Sequence, residues 1–289
     1  MRTGFIGLGA MGWPMAANLK RAGLLNSVWN RTTENAVAFG QQHDAQYVAS
    51  PEELAQDSEA IVLCVSRDED VLDLARRLGG ALKTGTLIID CSTVSAETAR
   101  EAAAIVAVAG GSFLDCPVSG GTEGARDAAL AIMCGGDEPS FERARPVLEA
   151  MGRNIRFMGP SGSGQATKAV NQIAVAGINQ AVTEALAFAM AEGLPIDDVI
   201  DVLSKGAAGN WFLTHRGPTM VRGQYPLGFK VELHRKDLEI CKSMAAGHGA
   251  QLPIVEMTLV HYGRLIDDHA GDDISSLFEL KKGLFDRSK

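Results

Sequence analysis

No apolar run in the 289-residue sequence reaches the roughly 20 residues that a membrane-spanning helix needs; the longest are interrupted by Asn, Gln, Thr or Glu. From Met1 the chain passes directly into the apolar pair Phe5 and Ile6, without the basic region, apolar segment and cleavage site of a secretory signal. A cytoplasmic protein that engages no membrane is therefore expected. The five cysteines, Cys64, Cys91, Cys116, Cys134 and Cys241, form no CxxC pair, and four lie in or beside apolar, β-branched runs. They read as reduced, buried thiols. The six histidines include no HxH or HExxH spacing, so no metal site is expected. Basic residues are in the minority, 27 against 35 acidic, for a net charge of −8. That balance argues against a duplex-binding protein, whose affinity rests on phosphate contacts, and leaves any anionic ligand to be held by local groups.

With 46% hydrophobic and 21% charged residues the composition is globular, and 289 residues can hold two domains with their own cores. Short β-branched runs at residues 3–6, 27–29, 60–65, 86–90, 112–115, 129–133 and 155–157 read as strands. Ala- and Leu-rich segments such as 11–22, 69–78 and 96–108 lie between them. This alternation predicts βαβ units in a largely parallel, doubly wound α/β sheet. The pattern changes at the turn-rich run 159–164, beyond which helices are expected at 165–192, 197–203, 210–220, 231–247 and 254–267. The predicted organisation is a Rossmann-type nucleotide domain over residues 1–161, then an all-α domain over 162–289 that opens with a long inter-domain helix. No repeat or low-complexity tract is visible.

Directly after the first strand, Gly7-Leu8-Gly9-Ala10-Met11-Gly12 forms GxGxxG at the start of a helix. In a dinucleotide-binding unit Gly7 permits the tight turn, Gly9 lets the backbone approach the pyrophosphate, and Gly12 lets the helix pack against the strand. The helix N-terminus offers N–H groups and a positive dipole end to the phosphates. The second strand ends Asn30-Arg31-Thr32, without the carboxylate that would bond the ribose 2′-hydroxyl of NAD; Arg31 and Thr32 favour the 2′-phosphate of NADP over NAD. Val65, at the end of a later strand, joins the expected cofactor-binding set.

The segment Asp115-Cys116-Pro117-Val118-Ser119-Gly120-Gly121 ends a strand at the sheet edge where open α/β folds bind ligands. Ser119 can donate a hydroxyl, and Gly120 and Gly121 free backbone N–H groups for an anion such as a carboxylate. The long helix at 165–192 is apolar nearly all round and so is expected to be buried. On it Gln165, Lys168, Asn171, Gln172 and Asn179 fall within roughly 120° of one another, forming one polar wall. A lysine there is costly unless it faces water, a ligand or a partner charge, and desolvation would shift an amine toward proton shuttling near neutral pH. The bland alternative is a lysine that snorkels to solvent.

Taken together, FIGLGAMGWPMAANL at the start, DCST at 90–93, DCPVSGG at 115–121, GSGQATKAVNQ at 162–172 and KDL at 236–238 resemble the β-hydroxyacid dehydrogenase family over nearly the whole chain. That family includes 3-hydroxyisobutyrate dehydrogenase, tartronate semialdehyde reductase and the glyoxylate/succinic semialdehyde reductases. The resemblance implies hydride transfer between NAD(P) and the β-carbon of a small 3-hydroxy or 3-oxo carboxylic acid. It implies Lys168 as acid/base, Ser119, Gly120 and Gly121 on the substrate carboxylate, Thr93 on the cofactor and Lys236 near cofactor and active site. An amide one turn after the lysine would orient the substrate. Where the family commonly has two Asn, this sequence has Asn171 followed by Gln172, so either could serve. A 6-phosphogluconate dehydrogenase would need more basic residues and usually a longer chain. An imine reductase shares the architecture but typically lacks the lysine. A catalytically inactive NAD(P)-binding sensor or scaffold is the remaining alternative. A small carboxylate is the expected partner, and the long apolar helix suggests a homodimer or homotetramer.

Overall fold

The computed structural model describes residues 1–285. The chain divides into two compact units, Met1–Lys168 and Ala169–Lys289. Residues 286–289 of the predicted helical domain lie outside the described residues.

The first unit is organised around a nine-stranded sheet. Its strands are β1 (Thr3–Ile6), β2 (Leu25–Trp29), β3 (Gln46–Tyr47), β4 (Ala60–Leu63), β5 (Leu87–Asp90), β6 (Ser112–Asp115), β7 (Val118–Ser119), β8 (Leu130–Gly135) and β9 (Gly152–Gly159). The spatial order is β3-β2-β1-β4-β5-β6-β8-β7, with β9 on β8. Every pairing from β3 to β6 is parallel, whereas β8 runs antiparallel to β6 and β7. Helices α1 (Gly12–Arg21), α2 (Thr33–His43), α3 (Pro51–Gln56), α4 (Asp68–Gly79), α5 (Ala96–Val108), α6 (Gly121–Arg126) and α7 (Glu138–Glu149) connect them.

The central strands β1, β4 and β5 are buried at all four positions, as expected when helices cover both faces of a parallel sheet. Side-chain alternation then builds two cores. Phe5, Val62 and Ile89 pack on one face with Met15 and Leu19 of α1, whereas Ile6, Ile61 and Ile88 pack on the other with Leu54, Leu74 and Val106. Helix starts are set by local chemistry. Ser50, Ser95 and Asp137 each accept a hydrogen bond from a backbone N–H in the first turn of the helix that follows. Strand order reverses between β1 and β4, and the glycine-rich loop leaves β1 at that switch point.

Helix α8 (Ser163–Ala191) begins in the first unit and continues into the second, where it is followed by α9 (Ile196–Ser204), α10 (Trp211–Met220), α11 (Val231–Ala246), α12 (Pro253–His269) and α13 (Leu277–Lys282). Short 3-10 turns occupy Ile274–Ser276 and Gly283–Phe285. The core of this unit gathers Ala176, Leu186, Leu213, Leu238, Tyr262 and Phe278. Among the described residues it contains no strand beyond the isolated bridge between Lys230 and Asp273.

The expectation that α8 is buried all round is corrected. Its polar wall is the buried side, with Gln165, Lys168, Gln172, Asn179, Gln180 and Thr183 all below 9% exposure, whereas Val170, Ile178 and Phe188 are exposed. By length and composition α8 could cross a membrane. Its buried polar residues, which sit in hydrogen bonds with protein groups, fit a core helix instead.

Candidate functional site

The glycine loop separates steric from ligand-facing roles. Gly7 has φ +100°, and a Cβ there would sit 2.2 Å from the Cys64 carbonyl oxygen; a Cβ on Gly12 would sit 1.8 Å from the Gly7 carbonyl oxygen. These two glycines are demanded by packing of β1, α1 and the end of β4. Gly9 has a negative φ and nothing within 4 Å of where its Cβ would be. The open space over an exposed Gly9 and Ala10, at the N-terminus of α1, is what a dinucleotide pyrophosphate requires.

Leu8 N–H donates to Asn30 Oδ1 at 2.8 Å, and Asn30 Nδ2 donates to the Thr32 carbonyl at 2.9 Å. The Asn30 amide therefore joins the glycine loop to the turn after β2, a structural use that its place in the sequence did not reveal. Arg31 projects into solvent, its side chain 81% exposed, and pairs with Asp70 of α4 at 2.9 Å. Thr32 is the N-cap position of α2. Val65 N–H donates to Ser92 Oγ at 2.9 Å, which brings the loop after β4 to the Asp90-Cys91-Ser92-Thr93 segment.

At the carboxyl ends of β5 and β6, Asp90 and Asp115 face each other in register. Burial pushes the Asp90 carboxyl up to about 7 despite the hydrogen bond from Ser92 N–H, and the charge of Asp115 pushes the same way. Asp115 is also raised by burial, opposed by N–H groups of Gly162 at 2.8 Å and Gln165 at 2.9 Å. Asp115 thus holds the first turn of α8 against the sheet. The Gln165 side chain adds a second tie: its Nε2 donates to the Ser92 carbonyl at 2.8 Å and its Oε1 accepts from Val94 N–H at 3.2 Å. Lys168, one turn further on, is buried at 7% exposure.

Ser119 ends β7 half-buried, and Gly120 and Gly121 follow with φ +136° and +62°, conformations that a side chain would strain. Two successive backbone amides in such a turn can point at an anion.

In the second unit, Asn171 Nδ2 donates to Gln172 Oε1 at 2.7 Å, and Gln172 Nε2 donates to Asp237 Oδ2 at 2.7 Å. Lys236 Nζ lies 3.1 Å from the other Asp237 oxygen. The structure thus joins Asn171, Gln172 and Lys236 through Asp237, and in the first unit it joins Leu8, Asn30 and Thr32, then Val65 and the segment holding Thr93. Asp237 and Gln165 were missed as site residues by sequence reasoning. Asp237 carried one legible signal, a carboxylate beside apolar Leu238 in the KDL run. Among the described residues no three His, Cys, Asp or Glu side chains gather as a metal site.

Residues 2–159 match the NAD binding domain of 6-phosphogluconate dehydrogenase, and residues 162–280 match the NAD-binding region of NADP-dependent 3-hydroxyisobutyrate dehydrogenase. The chain is 38% identical to 2-hydroxy-3-oxopropionate reductase of Escherichia coli (strain K12) over 258 residues, covering 88% of this chain and 87% of that protein. It is 34% identical to 3-hydroxyisobutyrate dehydrogenase of Pseudomonas aeruginosa, covering 96% and 98%. A solved structure of Mycobacterium tuberculosis 3-hydroxyisobutyrate dehydrogenase with L-serine superposes at TM-score 0.88 with 32% identity, covering 97% of this chain and 99% of that one.

Proposed function

We propose a function from one premise: the chain belongs to the β-hydroxyacid dehydrogenase family, whose members include 3-hydroxyisobutyrate dehydrogenase. It is an NAD(P)-binding oxidoreductase of the kind that acts on CH–OH groups. The proposed reaction interconverts a small 3-hydroxy carboxylic acid and its 3-oxo form. When bound, the nicotinamide cofactor accepts or supplies the hydride at the β-carbon.

The protein's own residues then have separable tasks. The Ser119 hydroxyl and the Gly120 and Gly121 amides hold the substrate carboxylate, which fixes the reacting carbon and removes orientational freedom from the barrier. In the reductive direction the Lys168 ammonium gives a proton to the developing alkoxide, and in oxidation the Lys168 amine takes it back. Asn171 or Gln172 orients the substrate. Gly7, Leu8, Gly9, Ala10, Met11 and Gly12 cradle the pyrophosphate, with Asn30, Val65, Thr93 and Lys236 completing the cofactor's surroundings. Arg31 and Thr32 favour NADP, because the turn after β2 supplies an exposed guanidinium and no carboxylate of its own, while the Asp70 carboxylate of α4 is paired with Arg31. Residues 1–161 serve as the nucleotide domain and 162–289 as the substrate and oligomerisation domain, in a cytoplasmic homodimer or homotetramer. The apolar side chains that α8 leaves exposed support the oligomer.

The observation that carries the reading is the burial of Lys168 one turn beyond Gln165, whose side chain grips the backbone on both sides of Thr93. A panel of tartronate semialdehyde, succinic semialdehyde, glyoxylate, 3-hydroxyisobutyrate, 3-hydroxypropionate and serine, with NADP and NAD, tests it. Lys168→Ala is expected to lower kcat by about 10²–10⁴ while leaving NADP(H) affinity nearly unchanged. Retained turnover in that variant would refute the acid/base role, and nucleotide binding without turnover on any substrate would favour a sensor. Turnover of cyclic imines in place of hydroxyacids would favour an imine reductase.

A further inference from the structure

Beside Met15, Ala16 and Leu19 on the buried face of α1 stands one amide, Asn18, at 3% exposure. A buried amide is costly unless its hydrogen bonds are made. Asn18 uses both ends: Nδ2 donates to the Ala125 carbonyl at 2.7 Å, and Oδ1 accepts from Arg21 Nη1 at 2.9 Å. A carbonyl accepts and a guanidinium donates, so the amide stands only one way round. The bond to Ala125 joins α1 to α6 across 107 positions of sequence. Ala125 lies in the last turn of α6, where a helix leaves its carbonyls without intrahelical donors. The Ala129 N–H, four residues on, donates to the Gly124 carbonyl at 2.8 Å instead. Asn18 thus supplies from α1 the donor that the end of α6 lacks. With 6 residues α6 is too short to hold its own shape in water, and positive φ angles mark both ends, at Gly120 and Gly121 before and at Ala128 after. Its place is therefore set by what it packs against, and Ala125 is its buried residue.

We propose, resting on the functional reading above, that Asn18 is a positioning residue: it sets the place of the Ser119–Gly121 carboxylate seat relative to the cofactor loop. Gly12 opens α1, and Asn18 stands about 9 Å further along that helix; Gly121 opens α6, and Ala125 stands about 6 Å further along. The bond between Asn18 and Ala125 closes the path from the cofactor amides, down α1 and back up α6, to the carboxylate amides. Hydride transfer depends on that spacing, because a misplacement of about 1 Å can cost on the order of 100-fold in rate. Asn18 itself is closed off from solvent and acts through α6.

Measuring kcat/KM for the best acid of the panel and for its methyl ester, which lacks the charge that the seat holds, tests this. Asn18→Ala is expected to lower kcat/KM by about 30-fold on the acid and by no more than about 3-fold on the ester, so that the preference for the acid falls about 10-fold. Fluorescence titration should give nearly unchanged NADP(H) affinity. Ser119→Ala should reduce the same preference, and adding Asn18→Ala to it should cost less than in the unaltered protein, because both changes act on one seat. Arg21→Ala removes, from an exposed position, the donor that orients the Asn18 amide. It should lower the preference about 3-fold and serves if Asn18→Ala does not fold. Equal losses on acid and ester, an unchanged preference, or a fall in NADP(H) affinity as large as the fall in kcat/KM would overturn the proposal. If the unaltered protein turns over and prefers the acid, these outcomes bear on Asn18 alone. If it shows no turnover or no such preference, the functional reading falls and this proposal with it.

Discussion

Asp90 and Asp115 stand in register at the carboxyl ends of adjacent parallel strands, yet only Asp115 receives a donor on each oxygen; Asp90 Oδ2 is buried without a partner. Desolvation therefore dominates at Asp90, whose carboxyl rises from an ordinary 3.8 to about 7. The folded state holds this proton more tightly than the unfolded chain does. The linked stability is complete below the unfolded value and is lost as pH rises through about 7.

Thermal unfolding followed from pH 5 to 8 should accordingly show falling stability in the unaltered protein and a flatter profile in Asp90→Asn, which keeps an acceptor for Ser92 N–H. At pH 8 the variant should be more stable by about 1–3 kcal/mol. Parallel profiles for the two proteins would mean that Asp90 is ionised in the folded state throughout this range.

Gly9 and Gly12 should respond oppositely to the same added methyl group. Gly12→Ala places Cβ 1.8 Å from the Gly7 carbonyl oxygen and should lower stability by about 1–3 kcal/mol as α1 is pushed from β1. Gly9→Ala meets open space, so its Tm should stay near normal while NADP(H) affinity falls at least about 10-fold, because the methyl group occupies the phosphate approach. Calorimetry and fluorescence titration of both variants decide it; unchanged affinity in Gly9→Ala would remove the loop from the cofactor site.

Much of this was readable because the determinants are local. The glycine loop, the strand at residues 3–6 and the 13-residue helix Ala96–Val108 each carry their pattern within one short segment. Strand β3 was not readable, since its two residues are both exposed and show no alternation. The faces of α8 were misread for a related reason. A helix that is apolar nearly all round does not say which side its neighbours will cover, and here the covered side carries the polar Gln165, Gln172, Asn179 and Thr183 together with Ala176 and Leu186. The ties that give the candidate residues their settings are long-range: Leu8 to Asn30 spans 22 positions, Gln172 to Asp237 spans 65, and Gln165 to Ser92 spans 73. No local periodicity encodes such pairs.

Arg31 and Asp70 form a testable pair for cofactor choice. The ion pair at 2.9 Å is open to solvent on the arginine side, and a 2′-phosphate would compete with Asp70 for the guanidinium. Arg31→Ala should lower kcat/KM for NADPH by about 10–100-fold, a charge-assisted contact being worth roughly 1.5–3 kcal/mol, with NADH nearly unaffected. Asp70→Asn should raise NADPH affinity by about 1.4- to five-fold, the range set by an exposed ion pair of roughly 0.2–1 kcal/mol, and this gain should shrink at high salt. Equal effects on NADH and NADPH in the Arg31 variant would show that the residue does not read the phosphate.

Gln165 ties the first turn of α8 to the backbone around Thr93, and its substitution separates that tie from simple packing. Gln165→Leu keeps an apolar volume but leaves the Ser92 carbonyl and Val94 N–H unpaired at a site 1% exposed, which should lower stability by about 2–4 kcal/mol. Gln165→Glu retains an acceptor for Val94 N–H, yet when ionised it sets a carboxylate oxygen against the Ser92 carbonyl; when protonated it can donate there again. Its Tm and kcat should therefore recover as pH falls, whereas those of Gln165→Leu should not. Lys168 lies one turn beyond, so loss of the tie should appear in kcat more than in KM. If Gln165→Glu shows no pH-dependent recovery beyond that of the unaltered protein, the residue acts through its bulk, and the hydrogen bonds to residues 92 and 94 contribute little to placing the lysine.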